Sequence, residues 1–160
     1  MRQEPEVPTL AAWSGGPEKI RACISRFYEH VREDAILAPV FAQMAPQHAA
    51  VVASFITEVF GGGPAYTGDG RHSHSTMVAK HLGRQLQEKQ RRRWVQLLLE
   101  TADEVGIPAD PEFRSALVAY LEWGSRIAVI NSATTENPID ETAPMPKWGW
   151  GETKGPYIPK

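Results

Sequence analysis

The sequence predicts an all-α fold. Apolar residues recur at helical spacing in four stretches, over residues 20–31, 51–59, 94–105 and 113–128. No stretch alternates with a period of two for long enough to indicate a β-sheet. A chain of 160 residues that is 42% hydrophobic and 22% charged has room for one domain with a useful core.

Composition and charge exclude several classes of protein. The formal net charge is -2, so we expect no general affinity for nucleic acid or for anionic membranes. Cys23 is the one cysteine, which rules out an internal disulfide. No apolar run approaches the roughly 20 residues of a membrane span, and the segment MRQEPEVPTL lacks the apolar core of a signal peptide. We therefore expect a cytoplasmic protein.

The N-terminal part predicts two helices. Residues 1–8 carry two prolines and three charges and are expected to be loose. A short helix covers residues 9–13 and is ended by Ser14-Gly15-Gly16. Pro17 suits a first helical position, and it opens an amphipathic helix whose apolar face carries Ile20, Ile24, Phe27 and Val31.

The middle of the chain predicts two more helical segments and a long irregular one. An apolar cluster at residues 36–41, interrupted by Pro39, predicts a turn or two of helix. Pro46 is expected to begin the next helix, on which His48 and Val52 share a face. The glycine-rich residues 61–75 lack apolar periodicity, and such segments in compact domains are usually functional or disordered.

The last two predicted helices form a hairpin. One runs from Trp94 to the break at Gly106, and the other begins at Asp110-Pro111, a good N-cap and first-turn pair. Helices joined by so few residues are expected to pack antiparallel. We interpret the basic cluster Arg91-Arg92-Arg93 as the solvated first turn of a helix.

The composition shifts after Ser132. Residues 133–160 hold five prolines and three glycines, together with Trp148, Trp150 and Tyr157. We expect a mostly disordered extension. The alternatives are that its aromatic side chains dock on the domain or on a partner subunit in a homodimer.

A histidine and a tryptophan suggest the chemistry of the protein. His81 ends the short run Met77-Val78-Ala79-Lys80, and Trp94 opens an apolar helix. One interpretation makes His81 an axial ligand to haem iron and Trp94 a wall of the opposite pocket. The alternative is a surface histidine followed by a basic linker. A haem site also needs aromatic side chains on the porphyrin faces, a cation for the propionates and a suitable distal side.

Several motifs occur together in a recognisable order. The B-helix motif is Phe27-Tyr28-Glu29-His30-Val31, and Phe41 follows thirteen positions after its tyrosine. Phe55 precedes a Gly-Gly-Pro turn and Tyr66, and His81 closes the segment that begins at His74. Trp94 follows thirteen residues after His81. From about residue 8 to residue 132 the chain resembles a group II truncated haemoglobin, a two-over-two α-helical globin.

The resemblance implies a haem b cofactor and a set of site residues. His81 matches the proximal iron ligand of the family, and Tyr28 its distal hydrogen-bond donor. Lys80 stands where the family usually has an arginine, which leaves a cation without a bidentate fork. His48 falls at the gate of the distal pocket, where small or hydroxyl residues are common in this group. The remaining expected haem contacts are Phe41, Val52, Phe55, Tyr66, Met77, Leu86 and Trp94, with Tyr66 and Lys80 near the propionates.

The resemblance implies a haem domain over residues 1–132 and an extension over 133–160. It also implies a pentacoordinate iron that binds dioxygen and other diatomic ligands, for storage, transport or sensing. Dioxygen held at such a site carries partial negative charge, so Tyr28 and Trp94 are suitable donors that slow its release. His48 is either a further donor, a swinging gate or an uninvolved surface residue.

Two other functions compete with ligand binding. One is a haem enzyme, a peroxidase or a nitric-oxide dioxygenase, which would need an external electron donor. The other is a helical protein without haem, in which His72, His74 and His81 hold zinc. The H-x-H pattern with a distant third histidine is a weak zinc signal, because no acidic or cysteine ligand set accompanies it.

Overall fold

The computed structural model describes residues 6–157, and this part of the chain is helical without strands. The predicted all-α class is confirmed. None of the described helices combines the length and the apolar character needed to cross a bilayer. The helices are α1 (Leu10–Trp13), α2 (Pro17–Glu33), α3 (His48–Val59), α4 (His74–Ala79), α5 (Glu88–Glu104) and α6 (Pro111–Ser132).

Local sequence explains how the first two helices begin. The Thr9 hydroxyl accepts a hydrogen bond from the backbone N–H of Ala12 at 3.1 Å and caps α1. Gly16 has a φ of 92°, which favours glycine, and Pro17 follows in the first turn of α2. The predicted apolar face of α2 is the buried one, with Ile20, Cys23, Ile24, Phe27, Tyr28 and Val31.

The segment after α2 differs from its prediction. Residues 35–43 form hydrogen-bonded turns and no continuous helix. Asp34 Oδ1 accepts hydrogen bonds from the backbone N–H groups of Ile36 and Leu37, both at 3.0 Å. Pro39 lacks an N–H donor and disfavours the helical conformation of Ala38. The chain therefore turns here, and α3 begins at His48 rather than at Pro46.

The glycine-rich turn ends α3 as predicted. The helix stops at Val59, and Gly61 and Gly63 have φ values of 88° and 80°. A Cβ at Gly62 would lie only 2.6 Å from Thr57 Cγ2. Tight packing of this turn on α3 therefore requires glycine at position 62.

The short helix before His81 ends two residues before this histidine. Ser73 caps α4, and helix α4 ends at Ala79. His81 lies in the turn that follows and does not itself end the helix. Serine at an N-cap with Thr76 three residues later forms a reciprocal capping box, which fixes where this helix begins.

The basic cluster is not simply a solvated first turn, and that interpretation is wrong. Helix α5 begins three residues before Arg91. The Arg91 side chain is only 3% exposed, and it pairs with Glu88 on the same helix and with Glu122 on α6. Arg93 pairs with Asp34 at 2.6 Å. Arg92 alone keeps the solvated position, with its side chain 76% exposed.

The long helices form two pairs. Helix α2 packs against α3 and α5, and α5 packs against α6. The core lies between these pairs, and its largest fully buried apolar side chains are Phe27, Phe113, Leu10, Leu37, Leu121, Val31 and Val59. The pair α2–α3 and the hairpin α5–α6 thus enclose the core.

Residues 133–157 lie against the helices in a defined path, contrary to the expected disorder. The Trp148 indole N–H donates to the carbonyl oxygen of Ala116 at 3.1 Å, and its backbone N–H donates to Val59 O at 2.9 Å. The Trp150 indole N–H donates to Pro8 O at 2.7 Å. Docking on the domain is therefore the alternative that the structure favours. The division at residue 132 stays a prediction.

Candidate haem-binding site

His81 lies on one side of the candidate site. Its Nδ1–H donates to the carbonyl oxygen of Met77, with the two atoms 2.9 Å apart. Burial lowers the pKa of the imidazole below its usual value, and the charges of Arg84 and Lys80 act in the same direction. A neutral imidazole whose Nδ1 carries the proton leaves the Nε2 lone pair for a metal.

Tyr28 lies on the other side, deep in the core face of α2. The residue is 3% exposed, and its hydroxyl lies 3.1 Å from His48 Nε2 on α3. Burial raises the pKa of Tyr28, and a hydrogen bond from Trp94 partly offsets this effect. The phenol is therefore protonated at neutral pH, with one imidazole and one indole beside it.

His48 is half-buried and contacts Tyr28, so its side chain does not simply face solvent. Its imidazole packs edge-on against the ring of Tyr28 at a centroid distance of 4.9 Å and is tilted against the ring of Phe41 at 6.0 Å. Burial lowers the pKa of His48 to about 4, and the positive charges of Lys80 and Arg84 add to the shift.

Apolar side chains surround these polar groups. Phe41 packs against Tyr28 with ring centroids 5.5 Å apart, and Trp94 packs against Phe27 at 5.7 Å. Four of the expected pocket residues are half-buried and packed against the core. They are Phe41, Val52, Phe55 and Trp94. Large apolar groups left half-covered in this way suit contact with a flat apolar cofactor.

The two residues expected near the propionates differ in their surroundings. Tyr66 is 2% exposed, and its hydroxyl lies 2.8 Å from Thr76 Oγ1 on α4. Its ring packs edge-on against Phe55 at 5.2 Å. Lys80 is exposed and stands at the C-cap of α4. Partial burial of the Lys80 ammonium lowers its pKa.

Met77 and Leu86 lie before and after His81 in the chain. Met77 supplies the carbonyl that orients His81, while the backbone N–H of Leu86 donates to Ser132 Oγ at 2.9 Å. Both side chains are half-buried. Their expected contact with haem stays a prediction.

An ion pair between Arg93 and Asp34, which the sequence analysis missed, holds the turn that leads to Phe41. Arg93 Nε donates to Asp34 Oδ2 at 2.6 Å, while the same carboxylate caps the turn that leads to Phe41. Asp34 is already partly desolvated, yet these hydrogen bonds hold its pKa below the usual value. The only sequence signal was an aspartate directly after a helix and two residues before an apolar cluster.

The described residues do not support the zinc alternative. No group of three or more histidine, cysteine, aspartate or glutamate side chains in residues 6–157 is placed to hold a metal ion together. His72 Nδ1 instead lies 2.6 Å from Asp69 Oδ2, and His81 Nδ1 is engaged by Met77.

The helix pairs α2–α3 and α5–α6, and the likeness to solved truncated haemoglobins, define a two-over-two truncated globin. The model of the bacterial-like globin family matches residues 12–123, and the chain belongs to that family. The resemblance to group II truncated haemoglobins is thereby confirmed at the level of the family and the fold.

Three relatives illustrate the likeness. The chain is 28% identical over 122 residues to the group 2 truncated hemoglobin YjbI of Bacillus subtilis, which covers 76% of this chain and 89% of that protein. The structure of a truncated oxygen-avid haemoglobin from Bacillus subtilis superposes with a TM-score of 0.66 at 27% identity, over 76% of this chain and 99% of the other. The group II truncated hemoglobin of Bacillus anthracis, at 24% identity, shares the fold with a TM-score of 0.68, over 79% and 93% of the two chains.

Membership of the globin family implies a haem cofactor, and the residues present fit it. His81 offers a neutral nitrogen donor whose tautomer is set by a backbone carbonyl. Half-buried aromatic rings and aliphatic side chains supply the apolar walls. In globins the protein ligand of haem iron is a single imidazole, without thiolate or carboxylate ligands beside it. His81 is a ligand of that kind.

Proposed function

We propose that this protein binds haem b and uses it to bind dioxygen and other diatomic ligands. The observation that supports this most directly is the orientation of His81, whose Nδ1–H donates to Met77 O and whose Nε2 is left for iron. When bound, haem supplies an iron centre that takes an axial imidazole and a small gaseous ligand. Side chains of this chain hold the haem, donate hydrogen bonds to the ligand and exclude water.

The distal side chains act as donors and as a barrier to water. Tyr28 keeps its proton because burial raises its pKa, so its hydroxyl is available as a donor to a ligand with partial negative charge. The indole N–H of Trp94 is a second donor from a different helix. In a site that excludes water, each donor contributes roughly 1–3 kcal/mol to the binding of a charge-like acceptor.

His48 adds a further element to the distal side. The imidazole is neutral at pH 7, since its pKa lies near 4. Its Nε2 is hydrogen-bonded to the Tyr28 hydroxyl. His48 is the first residue of α3 and is half-buried, so breaking its hydrogen bond to Tyr28 would let the side chain move and act as a gate to the pocket.

The enzymatic alternatives, peroxidase and nitric-oxide dioxygenase activity, use the same pocket and an external electron donor. A possible reductant, a homodimer and the cytoplasmic location stay predictions. Binding of diatomic ligands at a pentacoordinate iron is the function we put forward, because the distal donors favour holding a ligand.

A visible spectrum of the purified protein tests the proposal. We expect a Soret band in wild type and its loss, or only weak haem retention, in His81→Ala. Adding imidazole to His81→Gly is expected to restore the band, because the free imidazole replaces the missing side chain. His74→Ala is the matched control, since His74 is the first residue of α4 and lies seven positions before His81. An unchanged Soret band in His81→Ala would exclude His81 as the ligand.

A further inference from the structure

Helix α4 depends on its neighbours for its position. It has six residues, and isolated helices of that length are unstable in water. Segments without α-helix precede and follow it, over residues 60–73 and 80–87, and the first contains one short 3-10 turn at Thr67–Asp69. Contacts with other parts of the chain therefore decide where α4 lies, and with it the turn that carries His81.

The segment that follows α6 holds α4 from one side. The Asn137 side-chain N–H donates to the carbonyl oxygen and to the hydroxyl of Ser75, both at 3.1 Å. The Ser75 hydroxyl donates in turn to Ile139 O, also at 3.1 Å. Ser75 is buried on α4, so these hydrogen bonds fix the helix within the fold.

The same segment holds the chain on the other side of His81. The backbone N–H of Gly83 donates to Thr134 O at 2.8 Å, and that of Gln85 donates to Ser132 O at 3.0 Å. The Ser132 hydroxyl accepts from the backbone N–H of Leu86. Ser132 is fully buried at the end of α6, so these contacts connect the turn after His81 to a long helix.

The orientation of the His81 imidazole depends on the position of α4. Its Nδ1–H donates to Met77 O, and Met77 lies two residues after Ser75 on α4. A shift of α4 would move this carbonyl and rotate the ring. The orientation of Nε2 thus depends on contacts made by residues 132–139.

We propose that residues 132–139, which we call the proximal clamp, position His81 toward haem iron, with Asn137 as the main positioning residue. This inference rests on the proposed haem function. The clamp lies outside residues 12–123, the part matched by the family model. By fixing α4 at Ser75 and the following turn at residues 83–86, the clamp holds the imidazole in one geometry and limits its motion when a ligand binds.

Asn137 allows a sharp test because its two ends have separate partners. Its Oδ1 accepts from the backbone N–H of Ile139 at 3.0 Å, while its N–H groups reach Ser75. Asn137→Asp keeps the acceptor for Ile139 and removes the donors to Ser75. Asn137 is exposed, so the variant is expected to fold. Thr142→Ala is the control, since Thr142 bonds Asp140 in the same segment.

Two measurements on the full-length purified protein read out the clamp. Amide hydrogen exchange at Met77, Lys80 and His81 is expected to become about tenfold faster in Asn137→Asp, because local opening of α4 becomes easier. In the ferrous ligand-free protein, the iron–imidazole stretching band in the resonance Raman spectrum is expected to shift to lower frequency and to broaden. Thr142→Ala is expected to leave both unchanged.

Each outcome has one meaning. Faster exchange together with a shifted band supports the clamp as a positioning element. Faster exchange with an unshifted band overturns it, because the contact would then stabilise α4 without acting on His81. Unchanged exchange also overturns it. A wild-type protein without a Soret band would refute the haem function instead, and the exchange experiment would still report whether Asn137 holds α4.

Discussion

The Tyr28 hydroxyl and His48 Nε2 lie 3.1 Å apart, although the two residues come from different helices. One proton lies between them, since burial keeps Tyr28 protonated and lowers the pKa of His48 to about 4. If Tyr28 donates to His48, its hydroxyl turns to a ligand only after this hydrogen bond breaks. The imidazole therefore competes with the ligand for the distal donor.

This competition predicts the effect of replacing His48. His48→Leu frees the Tyr28 hydroxyl, so dioxygen dissociation is expected to slow by about threefold to tenfold, which corresponds to roughly 0.6–1.4 kcal/mol. Ligand entry measured by flash photolysis is expected to be faster in His48→Ala, whose side chain leaves the entrance open. His30→Leu is the control, since His30 pairs with Glu104 on the outer surface. Unaltered entry and dissociation in the His48 variants would contradict a role for this residue.

Tyr28 and Trp94 are expected to act on the same ligand. Tyr28→Phe and Trp94→Phe each remove one donor, and each is expected to speed dioxygen dissociation by about tenfold to a hundredfold, or roughly 1.4–2.8 kcal/mol. The effects should not add in the double variant, because both donors share one acceptor. Carbon monoxide, which carries less negative charge when bound, is expected to respond much less in stopped-flow experiments. Equal effects on the two gases would indicate steric changes instead.

The low pKa of His48 predicts how stability depends on pH. The unfolded histidine binds a proton near pH 6.5, while the folded one does so near pH 4. Stability is thus unaffected by His48 above about pH 6.5, and it falls as the pH drops from 6.5 toward 4. After allowance for partial solvent exposure, the loss is about 1–2 kcal/mol. Urea unfolding of the haem-free protein at pH 7 and pH 4.5 should show a smaller drop in His48→Leu than in wild type.

The docked tryptophans predict a contribution of residues 133–157 to stability. Trp148 contacts the rings of Tyr120 and Trp123, with centroids 5.7 and 5.5 Å away, and donates to Ala116 O. Trp148→Ala is expected to lower the free energy of unfolding by about 2–4 kcal/mol. The exposed Tyr157 is the control, and Tyr157→Ala should change stability by less than about 0.5 kcal/mol. Equal stability of wild type and Trp148→Ala would mean that the docked conformation is not the populated one in solution.

Periodicity predicted the long helices well because each buries one apolar stripe. Helix α2 begins at Pro17 and α6 follows its cap Asp110, both as expected from the local sequence. The segment at residues 35–43 could not be assigned in this way. Its conformation depends on Asp34, whose carboxylate is held by Arg93 from a helix far along the chain.

The candidate site was predictable only as a set of residue types in order. The order of motifs indicated His81, Tyr28 and Trp94, and the structure places Tyr28 beside His48 and Trp94. The pairing itself was not predictable, because it depends on how α2 and α3 cross. Arg91 was misjudged for a similar reason, since its burial depends on Glu122 of α6.

The hydrogen bond from Trp150 to Pro8 joins residues that are 142 positions apart in the chain. Contacts of such long sequence separation raise the contact order of a protein and form late in folding, because closing a long loop costs entropy. During synthesis, the Pro8 carbonyl therefore lacks this donor until residue 150 has left the ribosome. The helices that form the globin core are synthesised earlier, so they can associate before the hydrogen bond between Trp150 and Pro8 forms.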